Sequence, residues 1–181
     1  MTTYAILLRG INVGGRNKVP MAGLRTLLEE VGFSDVSTYL NSGNAIVSSG
    51  KGAKEVQSQI EEAISREFAV DGKLIKVLAL TRRQLQAVVD NRPGGFGDEP
   101  SRYYSDAIFL IGITAAKAMT AFNPREGVDT IWPGRGVIYF QRLSAERTRS
   151  RLGSMMASPL YESMTIRSWS TTTKLLALMN D

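Results

Sequence analysis

The segment RGINVGGRNKVP, residues 9–20, combines adjacent glycines with positive charge. Glycines such as Gly14 and Gly15 allow backbone conformations in which successive N–H groups converge on one anion. Arg16 and Lys18 add two cationic side chains within the same segment. It contains no Asp or Glu, which argues against a metal ion held by local residues. These residue types favour binding of a phosphate- or carboxylate-bearing ligand, and the alternative is a plain structural loop.

The same segment partly matches the nucleotide phosphate-binding pattern GxxxxGK[ST], between Gly10 and Asn17. Arg16 stands at the position of the phosphate-binding lysine. Asn17 replaces the hydroxyl that binds magnesium in that pattern. In addition, the elements described below predict an antiparallel sheet. The mismatch argues against a nucleotide-hydrolysing P-loop and leaves the weaker prediction of an anion site.

Two further polar segments are candidates for the same site. The turn Asn41–Asn44 connects two predicted strands, and residues 165–174, TIRSWSTTTK, lead into a helix whose N-terminus would attract an anion. Trp169 would stack on a planar ligand, although a strand end, a helix cap and a packed tryptophan are the simpler interpretation. Val19 is a poor N-cap, so the first helix also starts without a side-chain partner. The candidate ligand-binding residues are Arg9, Gly10, Asn12, Gly14, Gly15, Arg16, Lys18, Asn41, Ser42, Asn44, Arg167, Trp169, Thr171 and Lys174.

The range of possible chemistry is narrowed by the absence of Cys and His from the 181 residues. Thiol nucleophiles, imidazole bases, disulfides and thiolate or histidine metal sites are excluded. An enzyme built from the remaining side chains without a local metal would suit charge-stabilised phosphoryl or acyl transfer. No catalytic residue, cofactor or oligomeric state is identified, and enzymatic activity stays open.

The net charge of +5 is concentrated at the two ends of the chain. Residues 1–54 and residues 142–181 each carry +3, whereas the middle carries −1. Localised positive charge attracts anions, and dispersed charge merely solvates a surface. The apolar run Ala5–Leu8 follows no positive charge and is too short for a signal peptide or a membrane span. We therefore expect a cytoplasmic protein without a membrane partner.

Apolar spacing predicts the elements of the first half. A strand at Tyr4–Leu8 precedes a helix whose apolar positions run from Met21 to Val31 and which ends at Gly32. The elements that follow are a hairpin of Val36–Leu40 and Ala45–Val47, a helix over Val56–Phe68 and a strand over Leu74–Leu80. This order predicts an α+β, ferredoxin-like (split βαβ) half.

The same order recurs in the second half, which predicts an internal duplication. Ala5 and Ile6 align with Ala107 and Ile108 at an offset of 102, whereas Ile46 aligns with Ile138 at an offset of 92. The first half therefore has ten more residues, and we assign them to the loop after Gly10. The predicted elements are strands at Ala107–Ile111, Thr130–Trp132, Val137–Gln141 and Thr165–Ser168, with helices near Ala115–Ala121 and Ala145–Met156.

The strongest break in the chain separates the two halves. A linking helix over Thr81–Asn91 leads into the Pro/Gly-rich segment Arg92–Pro100, which we expect to be a mobile surface loop. A last helix is predicted over Thr171–Met179. The domain division is thus a first ferredoxin-like half over 1–80, a linker over 81–104, and a second half with its C-terminal helix over 105–181.

Three motifs carry a resemblance to a known family: RGINVGGRNKVPM at residues 9–21, LxxLLEExGFxDVxTYLNSGN at residues 24–44, and TIRSWST at residues 165–171. Together they resemble the bacterial family filed as domain of unknown function 1697. The family's tail usually reads RNWNT, so Ser168 and Ser170 replace two amides with hydroxyls. The resemblance implies two tandem ferredoxin-like halves and implies no activity.

Three functions are therefore compared. The first is binding of a small anionic ligand by residues 10–18, the turn and the tail. The second is an RNA or single-stranded nucleic-acid module, favoured by Tyr139, Phe140 and the arginines between Arg142 and Arg151. Against it, the strand Tyr4–Leu8 offers one aromatic residue and reads as apolar on both faces. The third is a protein-interaction domain.

Overall fold

The apolar runs form two four-stranded antiparallel sheets in the computed structural model, which describes residues 1–179. The chain divides into a unit of Met1–Gln86 with residues 174–179 and a unit of Ala87–Thr173. Each unit contains one sheet and its helices, so the α+β class is confirmed. No helix among the described residues is long and apolar enough to cross a membrane.

The first unit contains the sheet order β2-β3-β1-β4, with every neighbouring pair antiparallel. Its elements are β1 (Thr2–Arg9), α1 (Met21–Glu30), β2 (Ser34–Tyr39), β3 (Asn44–Ser49), α2 (Ala53–Glu67), β4 (Lys76–Thr81) and the start of α3 (Arg82–Asp90). Leu24, Leu27 and Leu28 form the buried face of α1, as their helical spacing requires. Gly32 follows α1 with φ +95°, a conformation that ends helices cheaply only at glycine.

The second unit contains a sheet of the same kind, in the order β6-β7-β5-β8. Its elements are β5 (Tyr103–Leu110), α4 (Ala115–Met119), β6 (Asp129–Gly134), β7 (Val137–Leu143), a 3₁₀ helix (Ser144–Arg149), α5 (Leu152–Met156), a 3₁₀ helix (Pro159–Ser163), β8 (Met164–Ser168) and the start of α6 (Trp169–Leu178). The helix predicted over Ala145–Met156 is thus a 3₁₀ helix followed by the short α5. The last helix begins at Trp169, two residues earlier than predicted.

Equivalent hydrogen bonds relate the two sheets. The Leu8 N–H donates to the Gly43 carbonyl at 2.8 Å, and the Leu110 N–H donates to the Gly136 carbonyl at 3.0 Å. The halves are therefore similar, as the duplication predicted, but the letter alignment of the hairpins is one residue out of register. The alignment of Ile46 with Ile138 implied that Ile138 pairs with Ala107 across the sheet. The structure instead pairs Ile138 with Ile108. Apolar residues are interchangeable along a buried strand, so letters alone place the register poorly.

The extra length of the first half lies after β1, but it is smaller than the alignment suggested. Eleven residues separate β1 from α1, and four separate β5 from α4, so the excess in this loop is seven residues rather than ten. The core strand β1 is buried from Tyr4 to Leu8, which means that both of its faces are covered. The loop therefore starts from a rigid strand end.

The Pro/Gly-rich segment expected to be mobile is instead anchored in the second unit. Phe96 is fully buried and packs edge-on against Trp132, Tyr139 and Trp169, with ring centroids 5.2–6.0 Å apart. Arg92 and Asp98 also form an ion pair of 3.0 Å across the turn. Burying one aromatic ring outweighs the flexibility that the surrounding glycines would give.

Candidate functional site

Three loops of the first unit lie at one end of its sheet. Leu7 pairs with Asn44 and Arg9 pairs with Lys76, so the end of β1 lies beside the starts of β3 and β4. The β1–α1 loop (residues 10–20), the β2–β3 turn (residues 40–43) and the α2–β4 loop (residues 68–75) therefore share this end. The topology thus brings two of the three predicted site segments together, the glycine-rich loop and the hairpin turn.

The adjacent glycines form the tip of a small hairpin inside the β1–α1 loop. Arg16 N–H donates to the Val13 carbonyl at 2.9 Å, and Gly14 and Gly15 both have positive φ, at +56° and +75°. Two consecutive left-handed residues are the requirement of a type I′ turn. The glycine pair therefore forms the centre of a tight turn at the exposed tip of the loop.

Asn12 ties the loop to the hairpin turn. Its Nδ2 donates to the carbonyls of Val19 and Asn41, each at 3.0 Å, and its Oδ1 accepts the Val19 N–H at 2.8 Å. The residue has φ +53°, which asparagine tolerates better than most side chains. Asn12, predicted as a ligand contact, thus has both polar ends of its amide engaged in holding the loop.

Asn17 closes the base of the same loop, a role that the sequence analysis missed. Its Nδ2 donates to the Gly10 carbonyl at 2.8 Å, and its Oδ1 accepts the Asp71 N–H at 3.0 Å. Asn17 also has a positive φ of +48°, and an asparagine in a turn-rich loop was the available signal. Gly10 is equally structural, because a Cβ there would lie 2.1 Å from the Leu74 carbonyl oxygen.

Between the loop and the turn lies a groove of about 420 Å³. Its lining residues are Asn12, Gly15, Lys18, Val19, Pro20 and Asn41. None of them is acidic, and Lys18 and the neighbouring Arg16 are exposed. Neither cationic side chain makes a hydrogen bond or ion pair with any residue that the structure describes. Positive charge at this groove is therefore not neutralised by the protein itself.

The groove also borders the start of α1. Pro20 is the N-cap and makes no side-chain hydrogen bond, and no acidic residue occupies the first turn. The first N–H groups of a helix have no partners within the helix, and they carry part of its positive dipole. Val19 and Pro20 were not predicted as site residues, since an apolar side chain and a proline give no chemical signal in the sequence.

The hairpin turn is closed by its own side chains. Asn44 is buried, and its Nδ2 donates to the Tyr39 carbonyl at 2.9 Å and to Ser42 Oγ at 3.0 Å. Leu40, the first residue of the turn, has φ +57°. Asn41 is the residue of this turn that lines the groove. Arg9 is half-buried at the loop start, with Nη1 3.5 Å from the Leu74 carbonyl.

The predicted tail residues Arg167, Trp169 and Thr171 belong to the second unit, and their side chains are buried. Arg167 is 5% exposed, and its Nη1 donates to Thr165 Oγ1 and to the Ile166 carbonyl, both at 2.8 Å. Burial lowers the pKa of this guanidinium to about 10, and the charge of nearby Tyr161 opposes that shift. Both hydrogen bonds are made in the interior of the second unit, where Arg167 is buried.

Trp169 is 8% exposed, and its ring lies against Phe96 and Tyr139, at centroid distances of 5.2 and 6.4 Å. A Cβ on Gly97 would fall 2.3 Å from Trp169 Cδ1, so the backbone itself covers the ring. This packing leaves the indole no open face for a planar ligand. The surroundings of Trp169 are therefore those of a packed tryptophan, which is the simpler of the two interpretations of the sequence.

The helix start of the tail is capped by the protein. Ser168 Oγ accepts the Thr171 N–H at 3.2 Å and donates to Thr171 Oγ1 at 2.9 Å. Serine and asparagine are both good N-caps, so the hydroxyl that replaces the family's usual amide retains this function. Lys174 is exposed on α6. Unlike the start of α1, this helix start has one N–H donor, that of Thr171, bound by a side chain.

The arginines considered for nucleic acid are partly neutralised. Arg142 forms an ion pair with Asp106 at 3.1 Å, and Arg149 forms one with Glu146 at 3.0 Å. Burial raises the pKa of Asp106, and the adjacent Arg142 opposes that increase. Arg147 approaches Tyr104 Oη at 3.4 Å. This surface therefore has less free positive charge than its sequence suggested.

Comparison with known proteins identifies one family and a similar fold. The family model described as a protein of unknown function, DUF1697, matches residues 1–139. A solved structure, conserved bacterial protein SP0830 from Streptococcus pneumoniae, is similar at 27% sequence identity and a TM-score of 0.80, with 98% of each chain covered. No curated protein gives a significant match. The groove residues all lie within the part of the chain that the family model matches.

Proposed function

Because the chain belongs to the DUF1697 family, whose function is unknown, we propose its function from its own site: the groove of the first unit binds a small ligand through a phosphate or carboxylate group. Lys18 and Arg16 are the cationic side chains that would contact the anion, and the open N-terminus of α1 adds N–H donors. Asn12 and Asn17 hold the loop in shape. Catalysis is not part of the proposal.

The observation that carries this proposal is the unneutralised charge of Lys18 beside a groove without a carboxylate. Among the described residues, Arg25, Arg92, Arg102, Arg142 and Arg149 have acidic partners within 4 Å, whereas Lys18 shares its groove with no carboxylate. An exposed ammonium gains more from a bound anion when no protein carboxylate competes for it. The N-terminal dipole of α1 acts in the same direction.

The loop framework supports binding because its geometry is set before a ligand arrives. Asn12 and Asn17 provide five side-chain hydrogen bonds to backbone groups. Ile11 and Val19 are buried on either side of the exposed tip. A preorganised site loses less conformational entropy on binding than a flexible loop would.

Two broader inferences accompany the binding proposal. We infer that each half has the ferredoxin-like fold, since the order β2-β3-β1-β4 and its counterpart β6-β7-β5-β8 match the split βαβ arrangement. We also propose that the protein acts in the bacterial cytoplasm. In this setting, small phosphorylated and carboxylated metabolites are the available anions.

The test is a thermal-shift and calorimetry panel of inorganic phosphate, acetate, sugar phosphates and nucleotides at low salt. A ligand at 100 times its Kd should stabilise the protein by about 2.7 kcal/mol. Lys18→Ala should weaken binding roughly tenfold, the lower end for losing a charge-assisted hydrogen bond. Lys54→Ala, which removes another exposed lysine from α2, is the matched control. Equal effects of the two substitutions, or no binding by any anion, would reject the proposal.

The alternatives stay distinguishable by salt and by position. Single-stranded nucleic acid would use Tyr104 with Arg142 and Arg147, since the Arg142 guanidinium lies 5.3 Å from the Tyr104 ring centroid. Such binding should fall steeply with ionic strength because counterions are released. It should respond to Arg147→Ala and not to Lys18→Ala. A protein-interaction domain would bind neither class of probe.

A further inference from the structure

The edge strand β4 is capped by side chains along the side that faces away from its sheet. β4 is the last strand in the order β2-β3-β1-β4, and β1 is its one strand neighbour among the described residues. The Val77 N–H donates to Glu61 Oε1 at 2.8 Å, and the Ala79 N–H donates to Gln57 Oε1 at 3.1 Å. Both N–H groups are therefore bound by side chains of α2 and not by another strand.

The spacing of these bonds follows the alternation of a strand. Successive residues of an edge strand direct their N–H groups to opposite sides, toward the sheet and away from it. Two residues after Ala79, the Thr81 N–H donates to Gln84 Oε1 in the first turn of α3 at 2.9 Å. The outward-facing N–H groups of residues 77, 79 and 81 thus each have a side-chain acceptor. Gln57 and Glu61 are four residues apart and lie on one face of α2.

This capping closes an edge that would otherwise accept a further strand. The unpaired N–H and C=O groups of an edge strand are a template for pairing with another chain. Holding a glutamine or glutamate in one rotamer costs conformational entropy, which N–H groups bound to water would not require. Glu61 also brings a carboxylate to the edge, and charge at an edge is a common means of preventing strand addition. We propose that Gln57 and Glu61 prevent β4 from pairing with β4 of a second copy of this chain.

The symmetry of the strand indicates why a second copy is the partner. The outward-facing series is centred on Ala79, with Val77 and Thr81 two residues to either side. Two antiparallel copies of β4 related by a two-fold axis would place Ala79 opposite Ala79 and Val77 opposite Thr81. The sequence of β4, KVLALT, is mostly apolar and carries a single charge, a composition that favours pairing between identical strands.

The experiment measures the mass of Gln57→Ala/Glu61→Ala and of the parent by sedimentation equilibrium over a range of concentrations. The double substitution leaves the N–H groups of Val77 and Ala79 without side-chain acceptors. Its mass should therefore rise to twice that of the parent as the concentration increases. Alanine is a good helix former, and circular dichroism establishes that the variant is folded.

Ser58→Ala/Glu62→Ala is the matched control. It changes two exposed positions of α2, each next in sequence to a capping residue, whose side chains make no hydrogen bond to β4 in the described structure. This control should keep the mass of the parent at every concentration. If the double variant does not fold, the single variants Gln57→Ala and Glu61→Ala provide the same test, because each uncaps one N–H group.

Hydrogen exchange locates the new contact. At low concentration, the Val77 and Ala79 amides of the double variant should exchange about fivefold faster than in the parent, the factor for losing one ordinary hydrogen bond. Their protection should return as the concentration rises, because the second copy of β4 supplies new acceptors. A mass equal to that of the parent at every concentration would overturn the proposal. So would an increased mass with these two amides still exchanging fast, since the copies would then associate through another surface.

Discussion

Replacing Asn12 with alanine should be among the most damaging changes at an exposed position of this protein. The substitution removes three hydrogen bonds, of which two hold Val19 and one holds Asn41. Hydrogen bonds of this kind contribute about 0.5–1.5 kcal/mol each, and partial exposure favours the lower half, so their sum is about 2 kcal/mol. Alanine at φ +53° adds roughly 1 kcal/mol of backbone strain. The expected loss of unfolding free energy is therefore about 3 kcal/mol.

Urea denaturation followed by tryptophan fluorescence and circular dichroism measures this loss. Asn41→Ala is the control, because Asn41 accepts the bond through its main-chain carbonyl, which alanine retains. That variant should lose less than about 0.5 kcal/mol, as ordinary surface substitutions do. Hydrogen exchange adds a local readout, since the Val19 amide loses its acceptor in Asn12→Ala and should exchange faster while sheet amides stay protected.

The reasoning would be refuted by a loss below about 1 kcal/mol for Asn12→Ala, since partial exposure alone does not reduce three bonds and a strained backbone that far. Unchanged exchange at Val19 would be equally damaging. It would mean that the amide has another acceptor and that Asn12 does not hold the loop. Equal losses for Asn12→Ala and Asn41→Ala would assign the effect to the turn sequence rather than to the bridging side chain.

Three further predictions concern the framework of the two units. Gly10→Ala should cost at least about 3 kcal/mol in urea denaturation, because φ is +86° and the new Cβ would clash with the Leu74 carbonyl; a loss under 1 kcal/mol contradicts this. Phe96→Ala should cost about 3–5 kcal/mol and expose residues 92–100 to limited proteolysis, whereas resistance would show that the ring is not their anchor. Burial raises the pKa of Asp106, so the folded state binds its proton more tightly, and this group's contribution to stability should increase as pH falls through the folded pKa. Unfolding free energies measured across that pH range should lose this component in Asp106→Asn; identical pH profiles would refute it.

Much of the fold follows from local patterns. Tyr4–Leu8 is a continuous apolar run and forms a strand covered on both faces, and Leu24, Leu27 and Leu28 recur at helical spacing and face the core. These elements depend on periodicity and on burial of their own side chains. The division of the helical stretch after β7 did not follow, because Glu146 adopts non-helical φ and ψ inside it. Nothing in the local letters indicates that kink.

The candidate site was only partly predictable. The composition of residues 9–20 located the loop, and Lys18 and Asn41 do line the groove. The same composition did not indicate that the glycine pair forms the turn of a small hairpin. It also grouped Arg167 and Trp169 with the ligand contacts, although both are buried in the second unit. A sequence shows that a side chain is charged or aromatic, but burial depends on the residues that surround it in space.

The amino-acid sequence by itself determined most of the elements, the duplicated order and the segment that carries positive charge, since each depends on residues that are close along the chain. Tertiary structure alone decided which polar groups remain available. Asn12 and Asn17 use their amides on Val19, Asn41, Gly10 and Asp71, and Phe96 covers Trp169, through contacts between residues up to 73 positions apart. A polar or aromatic side chain can contact a ligand only if the folded chain has not already engaged it, and that competition is settled by long-range packing.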